Sequence, residues 1–242
     1  MQVAGIDLAW GQRARTGVAL TDDDGRLIRS GSVTTDAEIL EFLSGSRPAV
    51  IAIDAPIIVT NPAGMRECER ELSRDFRAFH AGTHPTNSGQ PSMQPEPRAR
   101  RVVDTQGWGV DPAQEPSPNS PVALEVYPHS SMVGLFGLDR VLGYKAKPGR
   151  TPDMRRQEFI RLTTLMELHC DNPLSLTGSA RWRDLCNKVN EATRHVDLNR
   201  VEDEIDAIFC AYVAWTYATA PDTLVTYGSA ATGVIVTFPP PR

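Results

Sequence analysis

The sequence predicts a mixed α/β protein whose central sheet is covered by helices. Three observations carry that expectation. The chain opens with the order strand, strand, strand, helix, strand. The run AVIAI at 49–53 is apolar without alternation, as in a strand buried on both faces. Two or three helices then fill the chain between about residues 152 and 218.

The elements follow in order. Residues 3–9 form a short apolar run, and TGVALT at 16–21 a second. Asp22-Asp23-Asp24-Gly25 lies between that run and a third strand at 27–34, a strong hairpin signal. Thr35-Asp36 can cap a helix over 37–44, with Ile39, Leu40 and Leu43 as its apolar face. The buried strand at 49–53 ends at Asp54-Ala55-Pro56, and a charged helix is expected over 65–79. Residues 83–121 are rich in Pro, Ser, Asn, Gln and Gly, which predicts an extended, partly mobile surface loop inserted in a single domain spanning 1–242. In it, Arg98, Arg100 and Arg101 read as solvated charge, or as a cluster that closes over a phosphate. VALEV at 122–126 is the next strand, and 130–136 a short helix. Helices are expected at about 152–170, 180–195 and 200–218, with a last strand at 228–236.

Composition narrows the function classes. The 242 residues carry 25 basic and 30 acidic side chains, a net charge of −5, which argues against a broadly basic nucleic-acid-coating protein. No stretch approaches the ~20 apolar residues of a membrane span. MQVAGIDLAW does not read as a signal peptide. Cys68, Cys170, Cys186 and Cys210 form no CxxC pair, so they are expected to be reduced thiols of a cytoplasmic protein.

Acids at the ends of apolar strands are the informative feature, because a buried carboxylate costs several kcal/mol unless it is paired, metal-bound or protonated. Asp7 ends the first strand, Asp54 the fourth, and Glu125 sits in the fifth. Each also has a plain architectural reading: a turn cap for Asp7 and Asp54, a structural Arg partner for Glu125. Asp203 and Asp206 are three apart on the last helix, hence on one face, and an apolar stretch follows them. Asp203 alone reads as charge in a first helical turn. Carboxylate sets of this kind suit Mg²⁺ or Mn²⁺. Two such ions ~3.5–4 Å apart clamp a phosphodiester and need several convergent acids.

GIDLAW, AIDAP, RECEREL, EVYPHS, YKAKPGR and DEIDAIFCAYVAW, in that order over 3–236, resemble the domain-of-unknown-function family 429, described as predicted nucleases. The resemblance implies an α/β, ribonuclease H-like fold: a mixed five-stranded sheet of order 3-2-1-4-5 flanked by helices, with additional C-terminal helices. The late Asp-x-x-Asp-Ala helix is similar to that of the Holliday-junction resolvase branch, whose members are often dimeric, so a homodimer is implied. By this resemblance Asp7 bridges two metal ions, Asp54 binds one, and Asp206 completes the site with Asp203 beside it. The implied function is a divalent-metal-dependent nuclease acting on DNA or RNA.

Around that set, Lys145 and Lys147 lie on a turn that can face the strand ends and meet phosphate oxygens. Arg66 and Arg70 read as phosphate contacts or as partners of nearby Glu residues, and His129 as structural or as a proton-transfer group. Trp10 and Trp108 read as core packing or as base-stacking platforms. Two rivals remain. One is a non-catalytic nucleic-acid or protein binding module of the same fold. The other is an ATP-binding protein of the actin and sugar-kinase type. Leu8-Ala9-Trp10 after Asp7 speaks against the latter, whose hairpin is glycine-rich.

Overall fold

The computed structural model describes residues 1–11 and 13–242. Five strands form one sheet: β1 (Val3–Asp7), β2 (Thr16–Thr21), β3 (Leu27–Val33), β4 (Val50–Ile53) and β5 (Val122–Glu125), in the spatial order β3-β2-β1-β4-β5. β1 pairs antiparallel with β2 and parallel with β4, and β4 parallel with β5. The mixed sheet and its order are those expected.

The helices are α1 (Asp36–Leu43), α2 (Glu67–Phe76), α3 (Arg98–Gln106), α4 (Pro128–Phe136), α5 (Pro152–Leu174), α6 (Ala180–Glu191) and α7 (His195–Thr219). Side chains alternate across a strand, and both faces are buried. On one face Ala4, Ile6, Val18, Ile51 and Ile53 pack with Ile39 and Leu43 of α1 and Ala99 and Val103 of α3. On the other, Val3, Ala19, Val50, Ala52 and Leu124 pack under α7, which is backed by α4, α5 and α6.

Local chemistry fixes the connections. Asp22 Oδ1 accepts from the amides of Asp24 and Arg26, closing the β2–β3 hairpin. Thr35 caps α1: its hydroxyl accepts from the Glu38 amide, and the Glu38 carboxylate accepts from the Thr35 amide.

Three expectations need correction. Residues 83–121 are largely irregular but not loop throughout. They contain α3, whose Ala99, Val102 and Val103 recur at helical spacing and are buried. Arg98 there is neither solvated nor free for a phosphate. It is 4% exposed, pairs with Asp36 at 2.7 Å, and donates to the carbonyls of Ala9, Gly11 and Thr34. The expected last strand is a hairpin of β6 (Val225–Ser229) and β7 (Gly233–Thr237), because Gly228 and Gly233 both adopt positive φ and reverse the chain. The last helix starts at His195, so Asp203 lies in its third turn and not at the dipole-favoured first.

The contact of α7 with the sheet is unusually close. A Cβ at Gly5 would collide with the Ala207 carbonyl and the Ala211 amide, and one at Gly17 with the Asp203 carbonyl. Helix and sheet backbones therefore touch at two points where only glycine fits. Gly17→Ala should cost about 2 kcal/mol or more, at the upper end of overpacking. Gly11→Ala, which meets open space, should stay within about 0.5 kcal/mol. Urea unfolding curves of the two variants check this.

Candidate acidic site at the strand ends

Alternation puts Val3, Gly5 and Asp7 on the α7 face of β1. Asp7 is in register with Gly17 of β2, the residue on which the Asp203 backbone rests. The Asp54 amide donates to the Ile6 carbonyl at 2.8 Å, one step past the end of β4. Both acids thus sit where the β1–β4 ladder stops. The acidic turns of α7 cross above them.

Lys145, in the loop between α4 and α5, enters this space. Its ammonium lies 2.5 Å from Asp206 Oδ2, 3.3 Å from Glu202 and 3.7 Å from Asp7. Asp206 is fully buried, and its Oδ1 accepts from the Tyr144 hydroxyl at 3.0 Å. The ammonium meets Oδ2 outside hydrogen-bonding geometry, so that oxygen has a charge beside it and no hydrogen bond. Arg155, buried completely, donates to the Tyr144 carbonyl and pairs with Glu202 at 2.8 Å, fixing the loop that carries Lys145.

The charges do not balance. Burial raises Asp7 well above the usual carboxylate range, and Asp206, Asp54 and Asp203 push the same way while Lys145 opposes them. Burial lifts Asp54 to about 7, Lys145 again opposing and Asp206 and Glu125 adding to the rise. Asp203 is lifted to about 6 by burial, with Lys145 and Arg15 opposing. Glu202 is raised by burial as well. For Lys145, burial favours the neutral amine, but Asp206 and Asp7 outweigh it and hold the proton on.

The structure therefore brings Asp7, Asp54, Asp203, Asp206 and Lys145 into one electrostatic cluster. Glu125 borders Asp54 but is committed elsewhere. Arg66 donates to its two oxygens at 2.8 and 2.5 Å, and the Ile57 amide to one of them at 3.0 Å. Arg66 also bonds Glu69, which accepts from the Thr86 amide. That is the architectural pairing weighed for Glu125. Arg70 is exposed, and Lys147 makes no ion pair among the described residues. His129 packs edge-on against Tyr127 and Tyr144, and burial depresses it to about 3, so it is neutral. Trp108 packs partly buried on the α3 side, whereas Trp10 is 41% exposed beside a small cavity that reaches Asp54 and Tyr127. Sequence reasoning missed Glu202, Tyr144 and Arg155 as site residues. Glu202 was findable, since it precedes Asp206 by four and shares its helix face. Arg155 carried no local signal.

A family model described as protein of unknown function (DUF429) matches residues 5–232. The chain belongs to the DUF429 family. No curated protein and no solved structure matches this DUF429 chain. No helix of it is long and apolar enough to cross a membrane among the described residues.

Two predictions follow from the charges of this DUF429 chain. An acid whose folded pKa is raised contributes stability below its unfolded value, and loses it as pH rises through the folded value. For Asp54 that window runs from 3.8 to about 7. With chelator present, Asp54→Asn should raise the melting temperature by several degrees at pH 8, and the gain should vanish near pH 4. Calorimetric scans across pH read this directly. At the second cluster, Arg66→Met leaves Glu69 and Glu125 buried without their counter-charge and should cost about 3–5 kcal/mol. Glu125→Gln should cost less, because Arg66 keeps Glu69. Denaturant titration separates the two.

Proposed function

We propose that this DUF429 chain is a divalent-metal-dependent phosphodiesterase of ribonuclease H-like architecture, acting on nucleic acid. The observation that carries this reading is the unbalanced cluster: Asp7, Asp54, Glu202, Asp203 and Asp206 lie around one ammonium, Lys145, and of these acids Arg155 pairs with Glu202 alone. The mixed sheet of order β3-β2-β1-β4-β5, with acids on its two central parallel strands and on the helix above, supports the architectural part.

The residues fit Mg²⁺ or Mn²⁺ in kind. The donors are carboxylate oxygens, and Asp206 Oδ2 is buried without a hydrogen bond. Among the described residues, no three such groups close on a common point. Lys145 stands among them instead. Asp7, Asp54 and Asp206 would hold the ions, with Asp203 beside them. Bound ions of this type activate water and neutralise charge on the leaving oxygen of a phosphodiester. The chain's own contributions are distinct. Lys145 offers positive charge to a non-bridging phosphate oxygen. Tyr144 and Arg155 fix Asp206, Glu202 and the Lys145 loop. Glu125 stays outside the metal set and anchors Arg66. Free cysteines, three of them buried, support residence in a reducing compartment.

Lys145 as the nearest cation to Asp206 also supports a second reading, a metal-free binding module in which the lysine replaces the ion. One experiment separates the two. Thermal unfolding is recorded with EDTA, Mg²⁺ and Mn²⁺, beside cleavage assays on single-stranded, hybrid and branched substrates. The expected result is a metal-dependent rise in melting temperature and metal-dependent cleavage. Both should be lost in Asp7→Asn and Asp206→Asn, with the circular-dichroism spectrum unchanged. Unchanged turnover in either variant overturns the assigned site. Stability and cleavage indifferent to metal favour the binding module.

A further inference from the structure

A cavity of about 640 Å³ lies on the flank of the molecule, between α6, the first turns of α7 and the β2–β3 edge of the sheet. This is within the usual size of ligand sites. Its walls carry Arg15, Arg181, Lys188 and Arg200, on a protein whose net charge is −5. Of the three lining carboxylates, Glu204 and Asp197 are taken by Arg181 and Arg194, which leaves Glu191 as one acid against the four cations. Arg15 and Arg200 pair with no carboxylate among the described residues, and Arg15 instead donates to the Arg200 carbonyl at 3.0 Å. The Ser32 hydroxyl in the same wall is buried without a hydrogen-bond partner.

We propose that this cavity is a docking groove for the sugar–phosphate backbone of a nucleic-acid strand whose reacting phosphodiester lies at the acidic site. The assignment of the strand rests on the function proposed above. Continuity supports it. Arg15 directly precedes the segment of β2 that touches Asp203, and Arg200 lies three residues before Asp203 on α7. Two of the groove's cations are therefore chain neighbours of the elements that carry Asp203. Arg181 and Lys188, seven residues or about 10 Å apart along α6, extend the cationic wall, but both are bridged to Asp184, so Arg15 and Arg200 are its unpaired charges. Leu185, Ala192 and Val201 supply apolar wall for sugar or base edges. A cluster of carboxylates repels a polyanion, so a substrate strand needs compensating cations just outside it. These two unpaired arginines are placed to provide them.

The test measures binding separately from cleavage. Fluorescence anisotropy of a short fluorescein-labelled single strand is followed in EDTA at several salt concentrations. It is run with the wild type, Arg15→Ala/Arg200→Ala, Arg15→Lys/Arg200→Lys and Asp7→Asn. Both arginines are exposed, so the folds should survive, and melting temperatures check this. Expected are salt-dependent binding by the wild type and by Asp7→Asn, and a roughly tenfold loss in the alanine variant. Its slope of log affinity against log salt should fall by about 1.4 units, roughly 0.7 for each arginine on a single strand, and the lysine variant should recover most of the loss. An alanine variant with unchanged affinity and slope overturns the proposal, as does a wild type that binds no strand. Displacement of the strand by an equal concentration of inorganic pyrophosphate also overturns it, reassigning the cavity to small phosphoanions. Cleavage with Mn²⁺ on the same proteins separates the two readings. Groove-dependent binding without any cleavage sinks the hydrolase and leaves the groove. Cleavage by the wild type and the alanine variant alike, with equal binding, sinks only the groove.

Discussion

Helix α7 rests directly on the backbone of β1 and β2, and most of the molecule follows from that contact. Gly5 and Gly17 remove the side chains that would hold the helix off the sheet. The apolar stretch from Ala207 to Ala214 is then buried almost throughout, and α4, α5 and α6 close over it. The same contact has a chemical consequence. It drives the acidic turns of α7 down onto the ends of β1 and β4, where Asp7 and Asp54 already point. A bulkier residue at position 17 would lift Asp203 as surely as it would loosen the core.

The two buried ionic clusters solve opposite problems. Around Arg66, two carboxylates share one guanidinium, but Ile57 and Thr86 amides and the Ile58 carbonyl complete the hydrogen bonding. That cluster is satisfied, and it ties α2 to the end of β5. Around Lys145 the acids outnumber the cation and too few donors make up the difference. Asp206 Oδ2 has none. Raised carboxylate pKa values are the signature of such a shortfall, since protonation is the cheapest remaining way to remove charge. A site left in deficit at the end of two parallel strands is poised to take something positive.

How much of this was legible in the sequence depends on how local the signal is. The half-exposed β3 was read from the Asp-Gly hairpin signal before it, whereas β1 and β4 could be read because buried strands on two-sided sheets are unbroken apolar runs, as in VAGI and AVIAI. The acids at their ends were legible for the same reason: a charge closing an apolar run stands out. Helix α3 was not, because three arginines and few apolar residues look like loop until Ala99, Val102 and Val103 are set on a helical period. Arg98 was misread since nothing near it in sequence foretells Asp36 or the carbonyls of Ala9, Gly11 and Thr34. Tyr144 and Arg155 were missed for the same reason, their partners lying 62 and 47 residues away. Lys145 stood out only because the strand ends had already drawn attention to the turn that carries it.

The distribution of charge over the whole chain has a logic that its net value hides. An excess of five acids suggests a protein indifferent to polyanions. The carboxylates are instead partly spent inside, where Asp7, Asp54, Glu202, Asp203 and Asp206 share one space and Glu69 and Glu125 another. The part of that charge matched by Lys145, Arg155 and Arg66 is silent at the surface, while the unmatched part still repels a polyanion within a Debye length. What a ligand meets on the flank beside α6 is Arg15 and Arg200 without acidic partners, with Glu191 as the one unpaired acid in the wall. A chain can be acidic by count and locally cationic where a ligand would enter. Under the function proposed for this chain those two conditions are complementary: the cations would hold the chain of phosphates, and the acidic cluster beyond them would hold the ions that act on one of them.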